Sequence, residues 1–184
     1  TNNVAIGRET LSAATTGCHN IALGYAAMAA GVTTGINNIA LGQSAMDALT
    51  TGACNIALGI HALGASTTGC FNVAIGKAAL GSADTTGINN IAIGNEAADA
   101  LTTGYCNIVM GVGAYGQATI GIINIAIGLH AMTNVTTGQA DNNIAIGVGA
   151  LQGAAGTTGD QNVAIGYYAG CAVTTGSNNV AIGL

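Results

Sequence analysis

The chain has 184 residues, of which only two are Lys or Arg and seven are Asp or Glu, and it contains thirty Gly but no Pro or Trp. So few charges in a sequence that is 50% apolar exclude ordinary disorder, which needs low hydrophobicity and high charge. They also argue against a nucleic-acid partner, because two cations cannot neutralise a phosphate backbone, and against an enzyme, because few groups remain for acid–base chemistry.

The high hydropathy does not arise from a membrane-spanning segment. The longest stretch without a charge, residues 100–140, is interrupted by Asn, Gln, His and frequent Gly. A spanning helix needs about 20 consecutive, mainly apolar residues. We therefore predict no membrane span.

A short internal repeat accounts for most of the sequence. The motif Asn-[Ile/Val]-Ala-[Ile/Leu]-Gly recurs eleven times, and only Val109 and Met110 depart from it. A Thr-Thr-Gly triplet lies between successive copies, with Ile120 as its one change, and successive motif glycines are 17 to 19 residues apart. We predict one domain, residues 1–184, of about ten rungs of 17–18 residues. In chain order the motif copies begin at Asn3, Asn20, Asn38, Asn55, Asn72, Asn90, Asn107, Asn124, Asn143, Asn162 and Asn179.

This period predicts an all-β parallel β-solenoid, or β-roll. Helical repeats need about 34 residues for two packed helices, and each helix here would have to contain destabilising Gly. The motif instead alternates apolar residues with period two and ends at a turn residue, as a short strand does. The absence of Pro fits as well, because each inner rung donates its N–H groups to a neighbour.

Each position of the motif has an expected role in such a solenoid. The Ile and Leu side chains are expected to stack in a narrow core that is too thin for aromatic rings. The intervening Ala then faces the other side, where it is expected to pack against other chains around a threefold axis. The motif Asn is expected to form a ladder of amides hydrogen-bonded from rung to rung. The inner members of this ladder are Asn20, Asn38, Asn55, Asn72, Asn90, Asn107, Asn124, Asn143 and Asn162.

The motif, followed after two residues by Ala-Leu, resembles the head repeats of trimeric autotransporter adhesins of the YadA type. The Thr-Thr-Gly-x-Asn-Asn variant is similar to repeats of bacterial surface and phage tail-fibre proteins. The resemblance covers the whole chain and implies a left-handed β-roll, three chains in a rod, and an extracellular, cell-surface or virion location.

Neither end of the sequence has the polar cap that solenoid arrays usually carry. Residues 1–7 are in phase with residues 177–183, which leaves two expectations. The chain is either a segment of a longer array or a unit that stacks end to end into a filament.

Few residues suggest a chemical site. The five cysteines, Cys18, Cys54, Cys70, Cys106 and Cys171, lack metal-ligand spacing, so they are expected to be small apolar fillers, with inter-chain disulfides as the alternative. His19, His61 and His130 are expected at exposed corners of separate rungs. Asn134 begins the only N-glycosylation sequon. We predict no catalytic residues, no metal and no cofactor.

The sequence thus favours a non-enzymatic structural fibre protein: a filament subunit, a surface adhesin rod or a phage tail-fibre shaft. Its main partner is then the same chain, as a homotrimer or an end-to-end filament, with a host surface or glycan as a further partner. The alternative is a binding module whose corners recognise a host receptor, a glycan or ice. Ice binding requires two outward ranks of Thr, and adjacent Thr residues offer only one.

Overall fold

Eleven parallel strands of three residues each form one sheet in the computed structural model, which describes residues 2–29, 32–135, 140–153 and 159–184. Each strand coincides with the apolar centre of one motif copy. The strands are β1 (Val4–Ile6), β2 (Ile21–Leu23), β3 (Ile39–Leu41), β4 (Ile56–Leu58), β5 (Val73–Ile75), β6 (Ile91–Ile93), β7 (Ile108–Met110), β8 (Ile125–Ile127), β9 (Ile144–Ile146), β10 (Val163–Ile165) and β11 (Val180–Ile182).

The order of the strands in the sheet is their order in the chain. Equivalent motif positions are paired throughout, so that Ile39, for example, pairs with Ile21 on one side and Ile56 on the other. The chain therefore advances by one rung per repeat. The predicted all-β parallel β-solenoid of about ten turns is confirmed, and we call rung n the turn that contains strand βn.

A continuous ladder of buried Asn side chains precedes the strands. The Oδ1 atom of Asn38 accepts hydrogen bonds from both the backbone N–H and the Nδ2 of Asn55, at 3.0 and 3.1 Å. The Nδ2 of Asn38 in turn donates to the carbonyl of Gly52 in the next rung, at 2.9 Å. Similar bonds recur along the solenoid, and all nine inner Asn residues of the ladder are at most 2% exposed.

The lumen is filled mainly by the Ala-Leu pair that follows each motif. Ala27 and the adjacent Met28 are both fully buried, although neighbours in a regular strand would face opposite sides. The backbone is not extended there, because Ala26 and Met28 have positive φ angles of 53° and 52°. Two left-handed residues thus turn the chain so that consecutive side chains enter the lumen.

Stacking at this distance leaves no room for a side chain at the motif glycine. Gly24 has a φ of 129°, and a Cβ atom at this position would lie 2.7 Å from the carbonyl oxygen of Gly42 in the next rung. An L-residue would therefore meet both backbone strain and a clash with main-chain atoms. This explains why the motif ends in Gly in rungs 1 to 10, while the last motif glycine, Gly183, meets only the backbone strain of its positive φ.

Candidate interaction surface

The two faces of the strands are the reverse of those expected from the sequence. The central Ala is fully buried in most strands from β2 to β10, and its place in β7 is taken by Val109, which is 1% exposed. The flanking Ile and Leu residues are instead half-buried or exposed, as with Ile21 and Leu23 at 39% each. Met28 and its equivalents fill the lumen from the opposite wall, so the strand side has room for little more than a methyl group. The prediction that the Ala side packs against other chains is therefore wrong.

The outward strand side chains form one continuous apolar surface, which we call the Ile face. It contains two residues from each of eleven strands, and all twenty-two are Ile, Leu, Val or Met. None of them is buried. The surface is on the order of 1,000 Å², whereas the largest apolar patch of a typical soluble monomer is about 300–600 Å².

The residue before each motif Asn borders the Ile face on one side, and we call this column the Asn-side edge. Cys106, Ile123 and Asn142 of this column line a groove together with Ile108 and Ile125 of the Ile face. The full column is Asn2, His19, Asn37, Cys54, Phe71, Asn89, Cys106, Ile123, Asn142, Gln161 and Asn178.

The residue after each motif Gly borders the other side, and we call this column the Gly-side edge. It includes exposed apolar side chains such as Ile60, Val112 and Leu129, which are 44–48% exposed. The full column is Arg8, Tyr25, Gln43, Ile60, Lys77, Asn95, Val112, Leu129, Val148, Tyr167 and Leu184.

All five cysteines are free thiols within the chain. Cys106 and Cys171 are exposed, and the other three are half-buried. The Sγ of Cys70 accepts a hydrogen bond from the backbone N–H of Ala53 at 3.3 Å, which gives this thiol a structural role. The expectation that the cysteines are buried fillers is therefore wrong for the exposed Cys106 and Cys171. Inter-chain disulfides at any of the five cysteines stay a prediction.

The predicted corner residues lie apart from one another. His19, His61 and His130 belong to rungs 2, 4 and 8, and His19 Nε2 forms a hydrogen bond with Asn2 Nδ2 at 3.3 Å. In the Thr pairs, Thr33 and Thr85 are buried while the following Thr34 and Thr86 are exposed. These two pairs thus each present one outward hydroxyl, as adjacent residues of an extended chain do, whereas both residues of the pairs Thr15–Thr16 and Thr174–Thr175 near the ends are exposed.

One pocket that the sequence did not indicate lies across rungs 6 to 8. It is lined by Glu96, Asp99, His130 and Thr133, and it exists because the intervening rung carries Gly113 and Gly116. The Oδ1 of Asp99 is buried there without a hydrogen-bond partner. No group of three or more His, Cys, Asp or Glu suited to a metal ion is present among the described residues.

The glycosylation sequon is only partly described, because Thr136 lies outside the described residues. The Nδ2 of Asn134, which is the atom that would carry a glycan, donates a hydrogen bond to the carbonyl of Gly153 at 2.9 Å. A glycan on this nitrogen would compete with a contact between successive rungs.

The lumen contains one aromatic ring, contrary to the expectation that it is too thin for rings. Tyr115 is fully buried at the place of the usual Leu or Met, and its hydroxyl accepts a hydrogen bond from Asn124 Nδ2 at 2.9 Å. Burial, together with the charge of Asp141, raises the pKa of Tyr115 well above its usual range, against the opposing effect of the Asn124 bond. The ring is accommodated because its hydroxyl reaches the polar Asn ladder and lies against Gly121.

Comparison with protein-family models, curated proteins and solved structures gives no match. Among the described residues there is also no helix long and apolar enough to cross a membrane. The function is therefore inferred from the geometry of the chain. The largest apolar surface that the described residues leave uncovered is the Ile face.

Proposed function

We propose that this chain is a non-enzymatic structural fibre protein whose Ile face is covered by further copies of the same chain. The observation that carries this proposal is the uniform composition of the face, which has an aliphatic side chain or Met at all twenty-two outward positions. An exposed apolar patch of this size is typical of an interaction site. Its area, on the order of 1,000 Å² per chain, matches the roughly 800 Å² per partner of a stable protein–protein interface.

Absence of charge favours a second copy over a different partner. The Ile face has no charged or hydrogen-bonding side chain, so nothing on it would select a polar ligand. The aliphatic side chains and Met of this face repeat once per rung. Only an equally apolar surface with the same spacing between rungs matches them in both chemistry and spacing. Three chains around a common axis, with their Ile faces inward, would remove the largest apolar surface from water.

The mechanical basis of a fibre is the addition of equivalent rungs. Each inner rung contributes one strand pairing, one step of the Asn ladder and one set of buried Ala and Leu or Met side chains. Stability then increases approximately with the number of rungs, as in other repeat proteins. We place such a rod outside the cell, as a filament, a surface adhesin rod or a virion fibre, in line with the resemblance of its repeats.

The test is the oligomeric state of the full chain, measured by native mass spectrometry and sedimentation across a range of concentrations. We expect a closed oligomer, of about three times 17.7 kDa, at low-micromolar concentration. A stable, β-rich monomer at all concentrations would contradict the proposal. Binding of a hydrophobic dye to the exposed Ile face would give a second readout of this monomeric outcome.

A further inference from the structure

The pocket across rungs 6 to 8 has the build of a small binding site, and we call it the notch. Rung 7 carries glycine at two corner positions where rungs 6 and 8 carry larger polar side chains, which leaves a cavity of about 180 Å³ between two walls. In rung order the residues at these two positions are Glu96 and Asp99, Gly113 and Gly116, and His130 and Thr133. None of them belongs to the Ile face or to either of its edges, so a ligand in the notch does not require the proposed oligomer.

Contacts between rungs fix the walls of the notch. A Cβ atom at Gly113 would lie 2.8 Å from His130 Nδ1, so the imidazole ring leans over rung 7. Thr133 Oγ1 donates a hydrogen bond to the carbonyl of Gly113 at 2.8 Å. At Gly116 an added Cβ would lie 3.2 Å from the Gly113 carbonyl oxygen and 3.6 Å from that of Glu96. A side chain at Gly116 would therefore occupy space that the notch now leaves open.

Both charged side chains of the notch are carboxylates, and the described residues give them no counter-charge. Asp99 Oδ1 is buried without a hydrogen-bond partner, while the residue as a whole is partly exposed. Of the two cationic side chains in the sequence, Arg8 pairs with Glu9 at 2.9 Å, and Lys77 forms no ion pair within the described part of the chain. A carboxylate that is partly withdrawn from water and unpaired attracts a cation more strongly, because water screens its charge less.

The size and the donor set favour an organic cation over a metal ion. Among the described residues no three His, Cys, Asp or Glu are grouped so that they could hold a metal. The cavity is smaller than the roughly 300–1,000 Å³ of pockets for drug-sized ligands, yet much larger than the about 30 Å³ of one water molecule. It therefore suits a single charged group on a short aliphatic chain.

We infer that the notch binds a primary alkylammonium ion, with Asp99 and Glu96 as its anionic partners. A primary ammonium group is a compact charge with three N–H donors, which suits acceptors that converge from two walls. One wall offers the two carboxylates, and the other offers the Thr133 hydroxyl oxygen and a ring nitrogen of His130. The aliphatic chain would lie over Gly113 and Gly116. A free amine and the Lys side chain of another protein present this same chemistry.

The test is ligand-observed saturation-transfer NMR on the full chain, with n-butylammonium as the probe. We expect saturable binding, and at least about tenfold weaker binding of 1-butanol, which has the same chain without the charge. Asp99→Asn keeps the shape of the wall but removes its charge, and an affinity loss of at least about tenfold is expected. The matched control is Asp47→Asn, which removes one charge at the equivalent corner position of rung 3 and should leave the affinity within about twofold.

Gly116→Thr guards against an effect of Asp99→Asn on folding. It gives rung 7 the side chain that rung 8 has at this position, so it fills the notch and removes no charge. We expect an unchanged circular dichroism spectrum and a loss of binding of at least about tenfold.

A second probe, lysine blocked at both its amino and carboxyl ends, separates the two sources of the ammonium group. Binding as tight as that of butylammonium would assign a Lys side chain of a partner protein, and binding of butylammonium alone would assign a free amine. Equal binding of 1-butanol, equal losses in Asp99→Asn and Asp47→Asn, or full affinity in Gly116→Thr would overturn the inference. So would displacement of butylammonium by equimolar Ca²⁺ or Zn²⁺, which would make the notch a metal site.

Discussion

Asn107 Oδ1 accepts two hydrogen bonds from Asn124, one from its backbone N–H at 3.0 Å and one from its Nδ2 at 3.2 Å. Asn107 Nδ2 also donates to Asn90 Oδ1 at 3.0 Å and to the Gly121 carbonyl at 2.8 Å. One buried side chain thus links three successive rungs.

Replacing Asn107 by Ala is therefore expected to lower the free energy of unfolding by about 2–5 kcal/mol, because it leaves buried donors and acceptors unpaired at about 1–3 kcal/mol each. The measurement is denaturant unfolding at a fixed protein concentration. The control is Asn179→Ala in the exposed last rung, where Oδ1 accepts no bond from the described residues and Nδ2 donates only to Asn162 Oδ1 among them, so a change below about 1 kcal/mol is expected there. Equal losses for the two variants would contradict the ladder's role in stability.

Gly42→Ala is expected to destabilise the fold by several kcal/mol. Its φ is 137°, and an added Cβ would lie 2.6 Å from the Gly59 carbonyl oxygen, so strain and a main-chain clash act together. Gly183→Ala is the matched control, because it has a φ of 121° but nothing within 4 Å of its added Cβ. Thermal unfolding should show a loss of about 1–3 kcal/mol from strain in the control and a larger loss for Gly42→Ala.

Ala92→Leu tests which side of the strand faces the lumen. Ala92 is fully buried, so the larger side chain is expected to cost about 1–3 kcal/mol through overpacking. Ile93→Leu, on the opposite side of the same strand, should change stability by less than about 0.5 kcal/mol, since Leu occupies this place in β2, β3 and β4. The reverse order of the two effects would restore the orientation expected from the sequence.

Ile108→Lys tests the Ile face as the contact between chains. Ile108 is 37% exposed in the single chain, so the substitution should leave the fold intact. In the oligomer it would bury an unpaired ammonium group, which costs several kcal/mol. Sedimentation should show the dissociation constant rising by roughly a hundredfold or more, whereas Thr103→Lys at an exposed corner should leave it unchanged. Unaltered assembly of the Ile108→Lys variant would exclude this face as the interface.

Tyr115→Phe is expected to lower stability at neutral pH by about 1 kcal/mol, the value of one lost hydrogen bond. At high pH the sign of the difference changes. Because the folded chain raises the pKa of Tyr115 above its usual value near 10, the unfolded chain loses this proton first as pH rises. The contribution of Tyr115 to the free energy of unfolding is therefore fully present below about pH 10. Above that pH the free energy of unfolding falls by up to about 1.4 kcal/mol per pH unit.

The measurement is the free energy of unfolding of both proteins between pH 8 and 11. We expect the stability advantage of the unsubstituted chain to shrink and then reverse above about pH 10. Parallel curves would mean that Tyr115 titrates alike in both states.

Much of this fold follows from the sequence because the repeat constrains it. Only a parallel solenoid brings Asn38, Asn55 and Asn72 into one column at intervals of 17 residues and satisfies their buried amides. The strand limits follow equally from the two apolar residues around each Ala and from the Gly that ends each motif. The sequence therefore determined the fold class, the number of rungs, the Asn ladder and the places of the strands.

Only the tertiary structure decided which side of each strand faces the lumen. Period-two alternation places Ile91 and Ala92 on opposite sides of the strand but does not say which side faces the lumen. The greater hydrophobicity of Ile favoured the prediction that Ile faces the lumen. The orientation is set by residues such as Met28 and Leu80, whose positive φ angles turn their side chains into the lumen. These side chains leave space there only for Ala. The same turns place a Tyr ring in the core and leave the Ile side chains outside, so an apolar surface suited to assembly emerges from packing that no local pattern specifies.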